Sequence, residues 1–92
     1  MLFRSLESLT RAGYRTVGLD ADGPASLDAV DLTGPVALVV GSEGSGLRRL
    51  VKERCDVLAR IPLEGPVASL NASVAAGVAI YEVTRQRRDP RT

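Results

Sequence analysis

The sequence predicts an α/β fold with a mainly parallel sheet flanked by helices. Segments with helical periodicity alternate along the chain with short apolar segments typical of strands, which is the order of elements in α/β proteins. One of these segments, Val36–Val40, is apolar at every position, as expected of a strand covered on both faces. The chain has 92 residues, 45% of them hydrophobic and 25% charged, a composition that indicates one globular domain.

The N-terminal third is expected to form a helix and a strand. Apolar residues recur at helical spacing over Leu2–Ala12, and Gly13 follows as a stop signal, so this segment predicts an amphipathic helix. The alternating segment Tyr14–Leu19 predicts a short strand. Residues 20–24, Asp-Ala-Asp-Gly-Pro, predict a turn, and Ser26–Val30 predicts one helical turn before the buried strand.

Two helices and a strand are expected after the buried strand. The strand candidate Val57–Ile61 is stopped by Pro62, and a long final helix rich in small residues is expected from about Leu70 to Arg87. The apolar stripes that predict the two helices are Leu47, Leu50, Val51 and Cys55 for the first and Leu70, Val74, Ala75, Val78 and Tyr81 for the second.

Composition excludes several classes of protein. The chain has one cysteine and no histidine, which excludes an intrachain disulfide, a Cys/His zinc site and a Ser-His-Asp or Cys-His mechanism within this chain. No apolar run is long enough to span a bilayer, and Arg4 and Glu7 interrupt the segment where a signal peptide would be apolar. We therefore expect a cytoplasmic protein that binds neither a membrane nor a metal.

The charge pattern suggests one candidate surface for nucleic acid. The net charge is only +1, too small to indicate nucleic-acid binding by itself. Basic residues nevertheless cluster in the second helix, at Arg48, Arg49, Lys52 and Arg54. Such a cluster is typical either of a solvated helix face or of contacts to a phosphate backbone.

Two connections lie where α/β sheets bind ligands, after the carboxyl ends of strands. Gly41–Gly46, Gly-Ser-Glu-Gly-Ser-Gly, joins the buried strand to a helix, and it lacks the Lys-Ser/Thr of a phosphate-binding P-loop. On its own it is compatible with a tight turn. The second connection, from Ile61, ends in polar Ser69 and Asn71 beside apolar Leu70. It could offer an adenine apolar walls, or its polar residues could merely cap the last helix.

Taken together, the two connections resemble a known family. Val40–Leu47, Val-Gly-Ser-Glu-Gly-Ser-Gly-Leu, and Ile61–Ala75, Ile-Pro-Leu-Glu-Gly-Pro-Val-Ala-Ser-Leu-Asn-Ala-Ser-Val-Ala, are similar to the second and third conserved motifs of the SpoU (TrmH-like) RNA ribose 2′-O-methyltransferases of the SPOUT superfamily. The similarity covers nearly the whole chain. It implies a C-terminal deep trefoil knot, a homodimer, and transfer of a methyl group from S-adenosylmethionine to a ribose 2′-hydroxyl of tRNA or rRNA.

The resemblance also implies roles for individual residues. The cofactor contacts fall on Gly41, Ile61, Leu63 and Leu70. The catalytic residues implied by the resemblance are Glu43, which corresponds to the motif-two glutamate near the reacting groups, and Ser69 and Asn71, which correspond to the motif-three polar pair of the catalytic centre. For RNA binding, the candidates are the basic residues Arg48, Arg49 and Lys52.

One part of the family pattern has no counterpart here. The proposed catalytic arginine belongs to motif one, and neither Arg4 nor Arg11 has the surroundings of that motif. We therefore interpret residues 1–92 as the C-terminal part of the methyltransferase domain, with motifs two and three but without motif one. As such a fragment, the chain is expected to bind cofactor but to be inactive or weakly active alone.

Two other classes of function stay open. The basic cluster and the small-residue final helix are also compatible with a non-catalytic RNA-binding or dimerisation module, although small residues equally favour packing of that helix on its own sheet. A mononucleotide-binding protein is a third interpretation, weakened by the missing phosphate-binding lysine after the glycine loop.

Overall fold

The fold is a parallel sheet with helices on both faces, confirming the predicted α/β class. A computed structural model describes residues 2–41, 46–63 and 71–88. The elements are α1 (Leu2–Arg11), β1 (Arg15–Leu19), β2 (Ala25–Ser26), a 3₁₀ turn (Leu27–Ala29), β3 (Val36–Val39), α2 (Arg49–Arg54), β4 (Val57–Arg60) and α3 (Ala72–Arg88).

Helix α1 ends as the sequence predicts, at a glycine. Gly13 has φ of +95°, a left-handed conformation that glycine adopts without a side-chain clash. The Tyr14 N–H donates to the Leu9 carbonyl at 2.9 Å, and the Gly13 N–H donates to the Thr10 carbonyl at 3.1 Å. This pair of hydrogen bonds is a Schellman motif, which satisfies carbonyls in the last turn and directs the chain into β1.

In the part of the chain that the structure describes, four strands lie in the order β2-β4-β1-β3, and all neighbouring pairs are parallel. Strand β1 pairs with β3 on one side, with Gly18 opposite Val39, and with β4 on the other, with Leu19 opposite Ala59. The carboxyl ends of β1, β3 and β4 therefore meet at one edge of the sheet.

The connection from β1 to β2 passes across β4. Both Leu19 and Ala25 are register partners of Ala59, so residues 20–24 go from one side of β4 to the other. A Cβ added at Gly23 would lie 2.9 Å from the Ala59 carbonyl carbon, an approach that only glycine permits. The Arg60 guanidinium donates to the Gly23 carbonyl at 3.1 Å and holds the crossing in place.

Each face of the sheet buries a separate apolar cluster. On one face Val17 packs with the residues around the 3₁₀ turn and with α3, and on the other Leu6 of α1 packs with Val51 of α2. The buried members are Val17, Leu27, Val30, Leu32, Ala59 and Ala79 in the first cluster and Leu6, Val39, Leu47 and Val51 in the second.

Two predicted apolar stripes are partly wrong. Leu50 of α2 is 56% exposed, because the helix begins at Arg49 and turns Val51 rather than Leu50 toward the sheet. In α3 three members of the predicted stripe are also exposed, namely Val74 (47%), Val78 (40%) and Tyr81 (60%), whereas Ala75 is half-buried. The helix instead buries Ala79 and Gln86, so its small and polar residues face the sheet.

The short strand β2 replaces part of a predicted helical turn. Ala25–Ser26 pairs with Ala59–Arg60, and the helical conformation that was expected from Ser26 begins only at Leu27. Two-residue strands carry too little periodicity to be predicted from sequence. Leu70, the predicted start of α3, lies outside the described residues.

Candidate functional site

The candidate site lies at the carboxyl edge of the sheet. Strands β1, β3 and β4 end there. Asp20 directly follows β1, Ile61 directly follows β4, and Gly41 is the second residue after β3. The two connections singled out from the sequence thus leave neighbouring regions of one edge, with the end of β1 between them. This is the position at which open parallel sheets bind their ligands.

The glycine loop closes tightly on itself. A Cβ added at Gly41 would lie 2.1 Å from the carbonyl carbon of Gly46, 2.3 Å from its oxygen and 2.5 Å from the Leu47 nitrogen. Gly46 has φ of +67°, a conformation that favours glycine. The two ends of the loop therefore meet backbone to backbone, and glycine at position 41 is required for the contact.

Apolar side chains lie after β4 on the same edge. Ile61 is half-buried and packs against the cluster of Val17 and Ala59, which fixes the first residue beyond the strand. Leu63 is 37% exposed, a large fraction for a leucine that follows a central strand. The pair offers one anchored and one accessible apolar surface, the kind of wall that an aromatic ring requires.

Asn71 caps helix α3. Its side-chain oxygen accepts the Val74 N–H at 2.8 Å, and its carbonyl accepts the Ala75 N–H at 2.9 Å. These contacts make Asn71 the N-cap residue and satisfy a donor that the helix itself leaves unpaired. The cap fixes the side chain at the start of α3, and the proposed catalytic role of Asn71 stays a prediction beside it.

Three of the predicted site residues lie outside the described residues. They are Glu43 in the glycine loop and Ser69 and Leu70 in the connection before α3. Their predicted roles rest on the resemblance alone.

The basic residues of α2 differ in how their charges are neutralised. Arg49 is the most accessible, with its side chain 85% exposed and only a 3.9 Å contact to Glu53. Arg48 lies just before the helix and is exposed. The Lys52 ammonium pairs with the Asp20 carboxylate at 3.3 Å, and Arg54 pairs with Glu7 at 3.0 Å.

Asp20 is the residue that sequence reasoning overlooked. It follows β1 directly, its N–H donates to the Ala59 carbonyl at 2.9 Å, and its side chain is only 17% exposed. It therefore holds Lys52 toward the carboxyl edge. The position of an acidic residue directly after a predicted strand could have identified Asp20 as a candidate. The sequence of residues 20–24 was instead interpreted only as a turn.

A groove of about 270 Å³ lies at the other end of the strands. Its lining residues are Glu7, Thr10, Arg11, Arg54 and Asp56. Because Asp56 precedes β4, the groove is at the amino edge of the sheet, opposite the glycine loop. Its walls carry carboxylates and guanidinium groups together, including the Glu7–Arg54 ion pair, so it favours neither a cation nor an anion.

Within residues 2–41, 46–63 and 71–88, no group of three or more His, Cys, Asp or Glu side chains is arranged to hold a metal ion. None of the helices in these ranges has the length and apolar character needed to cross a membrane.

Sequence comparison assigns relatives to the chain. The family model of the SpoU rRNA Methylase family matches residues 2–81. An uncharacterized tRNA/rRNA methyltransferase of Mycobacterium sp. (strain KMS) is 60% identical over 87 residues, covering 95% of this chain and 28% of that protein. The 23S rRNA (guanosine-2′-O-)-methyltransferase RlmB of Coxiella burnetii is 53% identical over 89 residues, covering 97% of this chain and 36% of that protein.

Structural comparison agrees with the sequence relatives. The crystal structure of the SpoU methyltransferase AviRb from Streptomyces viridochromogenes, in complex with the cofactor AdoMet, matches with a TM-score of 0.82 and 34% identity, covering 96% of this chain and 34% of that one. The chain thus spans roughly a third of each of these relatives. The family match over residues 2–81 and the shared parallel sheet lead to one conclusion: the chain belongs to the SpoU rRNA methylase family.

Proposed function

We propose that this chain carries the cofactor-binding part of a cytoplasmic enzyme that transfers a methyl group from S-adenosylmethionine to a ribose 2′-hydroxyl of tRNA or rRNA. The observation that carries the proposal is the close approach of Gly41 and Gly46 at the carboxyl edge of the sheet, the edge that also carries the apolar pair following β4. Two relatives support it: AviRb was crystallised with AdoMet, and RlmB is named as a guanosine-2′-O-methyltransferase.

The residues at this edge fit the cofactor. Its adenine requires apolar walls and backbone hydrogen bonds, and Ile61 and Leu63 provide the walls directly after a strand. Gly41 has no side chain, so Gly46 can approach it backbone to backbone and hold the two ends of the glycine loop together at the edge where we propose that the cofactor binds. We propose that Leu70 completes the apolar wall. When bound, the cofactor supplies an activated methyl group on its sulfonium.

The chain's own contribution to the chemistry is to orient the reactants. An in-line methyl transfer depends strongly on alignment of the nucleophile with the donor, and the cap hydrogen bond fixes the Asn71 side chain relative to the first turn of α3. We propose that Asn71, with Ser69 and Glu43, forms one side of the reacting centre. The family resemblance assigns removal of the proton from the ribose hydroxyl to an arginine of motif one. We therefore expect this chain to bind the cofactor but to transfer its methyl group slowly or not at all.

The C-terminal trefoil knot implied by the family is a further proposal. It is supported by the crossing of residues 20–24 over β4, a strand that comes later in the chain yet lies between β1 and β2. A knot requires such a loop and a segment inserted beneath it.

The interpretation of residues 1–92 as part of a larger methyltransferase domain is supported by β3. This strand lies at the end of the strand order, although its residues are apolar on both faces, a pattern typical of interior strands of parallel sheets. We propose that an additional parallel strand covers this edge in the longer protein, whose relatives extend well beyond this chain.

A dimer is proposed from the exposed face of α3. Val74, Val78 and Tyr81 recur at helical spacing, and each is at least 40% exposed. An apolar stripe on the outside of a helix marks a protein contact surface.

Sedimentation of the chain at micromolar concentration should give the mass of two copies, and Val78→Asp should give one copy without unfolding. A wild-type chain that sediments as one copy would contradict the proposal. A dimer that binds RNA but not cofactor would favour the non-catalytic module.

RNA contacts are proposed for the basic residues Arg48, Arg49 and Lys52. Phosphate contacts release counterions, so the logarithm of affinity falls with the logarithm of salt concentration, by roughly one unit of slope for each contact. The double substitution Arg48→Ala, Arg49→Ala should reduce this slope by about two. Arg88→Ala, which removes an exposed cation from α3, is the matched control. An unchanged slope in the double variant would refute the assignment.

Isothermal calorimetry tests the cofactor proposal itself. S-adenosylmethionine and, separately, S-adenosylhomocysteine are titrated into the wild-type chain, with ATP as the competing ligand. The proposal predicts saturable heat with both sulfur compounds and weaker binding of ATP. No binding at millimolar concentrations of either compound would contradict it, and tighter binding of ATP would favour a mononucleotide-binding protein.

A further inference from the structure

Gln86 is a buried polar residue whose amide joins α3 to the middle of the chain. Its side-chain oxygen accepts the Leu32 N–H at 2.8 Å, and its nitrogen donates to the Val30 carbonyl at 3.0 Å and to a carboxylate oxygen of Glu82 at 2.9 Å. The residue is only 3% exposed. A primary amide both donates and accepts, so it can satisfy a backbone N–H and a backbone carbonyl of one extended segment at the same time.

The segment that Gln86 binds is itself fixed to the sheet. Val30 and Leu32 are buried in the same cluster as Val17. The Arg15 guanidinium of β1 donates to the Asp31 carbonyl at 3.2 Å. Arg87, the next residue of α3, donates to the Leu32 carbonyl at 3.3 Å and to the Gly34 carbonyl at 2.7 Å, and so joins α3 to the same segment as Gln86. The contact therefore joins α3 to the core rather than to a surface loop.

Within one copy of the chain, the first half of α3 is held to the core less firmly than the second half. Val74, Gly77 and Val78 are exposed, and the first buried residue is Ala79. Asn71 lies fifteen residues before Gln86, or about 22 Å along the helix at about 1.5 Å per residue. A slip of one residue at Gln86 would shift the start of the helix by about 1.5 Å and rotate it by about 100°.

We propose that Gln86 is a positioning residue, which sets the register of α3 on the sheet and so fixes the start of the helix, with its Asn71 cap, at the carboxyl edge where the cofactor is proposed to bind. The inference rests on the proposed function for its consequence in ligand affinity. The inference goes beyond the proposed function because it states that Gln86, a side chain far from the cofactor site, determines the geometry of that site.

The experiment compares three variants of the full chain. Gln86→Met keeps the length of the side chain but removes all three hydrogen bonds. Gln86→Glu keeps the shape, loses both donated hydrogen bonds and sets a carboxylate against Glu82. Leu6→Val is the control, because it creates a small defect in the other apolar cluster, away from α3. The dissociation constant of S-adenosylhomocysteine is measured well below the thermal midpoint of each variant.

A positioning role predicts that affinity and stability separate. Gln86→Met should bind at least tenfold more weakly than wild type, and Gln86→Glu more weakly still. Leu6→Val, even with a comparable fall in thermal midpoint, should bind within twofold of wild type. Gln86→Met with the same affinity as Leu6→Val would overturn the proposal, because the amide would then only stabilise the fold.

Hydrogen exchange separates this inference from the proposed function. The Val74 and Ala75 amides bond to Asn71 and report on the start of α3. In Gln86→Met they should exchange at least tenfold faster than in Leu6→Val. A wild-type chain without ligand binding would refute the proposed function, and exchange would then decide the role of Gln86: faster exchange supports it, and equal exchange overturns it.

Discussion

Replacement of Gly41 by alanine should weaken cofactor binding more than it weakens the fold. The new Cβ would lie 2.1 Å from the Gly46 carbonyl carbon, whereas real Cβ contacts essentially never fall below 3.0 Å. The loop must therefore open by about 0.9 Å, the difference between these distances. Forcing an extra carbon into a closed contact costs about 1–3 kcal/mol.

The expected size of the effect follows from where this strain is relieved. Without ligand, the loop can relieve the clash by separating Gly41 from Gly46, so the free energy of unfolding falls by less than the energy of the clash itself. A ligand that requires the closed loop must restore it, and about 1–3 kcal/mol corresponds to roughly 5–150-fold weaker binding. Calorimetric titration with S-adenosylhomocysteine measures the affinity, and urea unfolding measures the stability.

The matched control is Gly34→Ala, because a Cβ at Gly34 would meet no heavy atom within 4 Å. Its affinity should stay within twofold of wild type. The reasoning is refuted if Gly41→Ala binds as tightly as wild type, or if Gly34→Ala loses as much affinity as Gly41→Ala.

Three further predictions concern stability and reactivity. The hydrogen bonds from Arg85 hold the pKa of Glu82 below its usual value, so the ionised Glu82 stabilises the fold above about pH 4.5, and this stabilisation is lost as pH falls through the lowered pKa. Glu82→Gln should therefore reduce the loss of unfolding free energy at acidic pH, and an equal loss in the variant and wild type would contradict this role of Glu82. Gly77→Ala adds a Cβ that meets nothing within 4 Å in one protomer, so helix propensity alone should stabilise the chain by about 1 kcal/mol, and a lower thermal midpoint would mean that another surface packs closely on Gly77. Burial, and secondarily the charge of Asp56, raises the pKa of the Cys55 thiol, so alkylation at neutral pH should be slow in the native chain and fast in denaturant; equal rates would contradict this.

The sequence predicts the order of the main elements because its local signals are strong. The stop at Gly13 and the uniformly apolar Val36–Val40 segment both identify their elements correctly, with ends displaced by one residue or so. The position of the glycine loop at the carboxyl edge was predictable for the same reason. A loop between a buried strand and a helix has only one edge of a parallel sheet available to it.

What could not be predicted depends on contacts between distant parts of the chain. The Thr16 N–H and hydroxyl both bond to the Asp56 carboxylate, forty residues away, and no periodicity relates them. The face of α3 was misjudged for a similar reason. Its apolar stripe suggested burial, whereas α3 buries Ala79 in the cluster on the sheet and directs the amide of Gln86 to the backbone of Val30 and Leu32, which lie outside the strands.

NMR of the ¹⁵N-labelled chain during titration with S-adenosylhomocysteine shows where the cofactor binds. A cofactor site at the carboxyl edge of the sheet predicts saturable shifts of the Gly41, Ile61 and Leu63 amide signals, while amide signals at the amino edge, such as those of Arg11 and Asp56, do not move. Shifts confined to the amino edge, or no saturable shift at any amide, would contradict it.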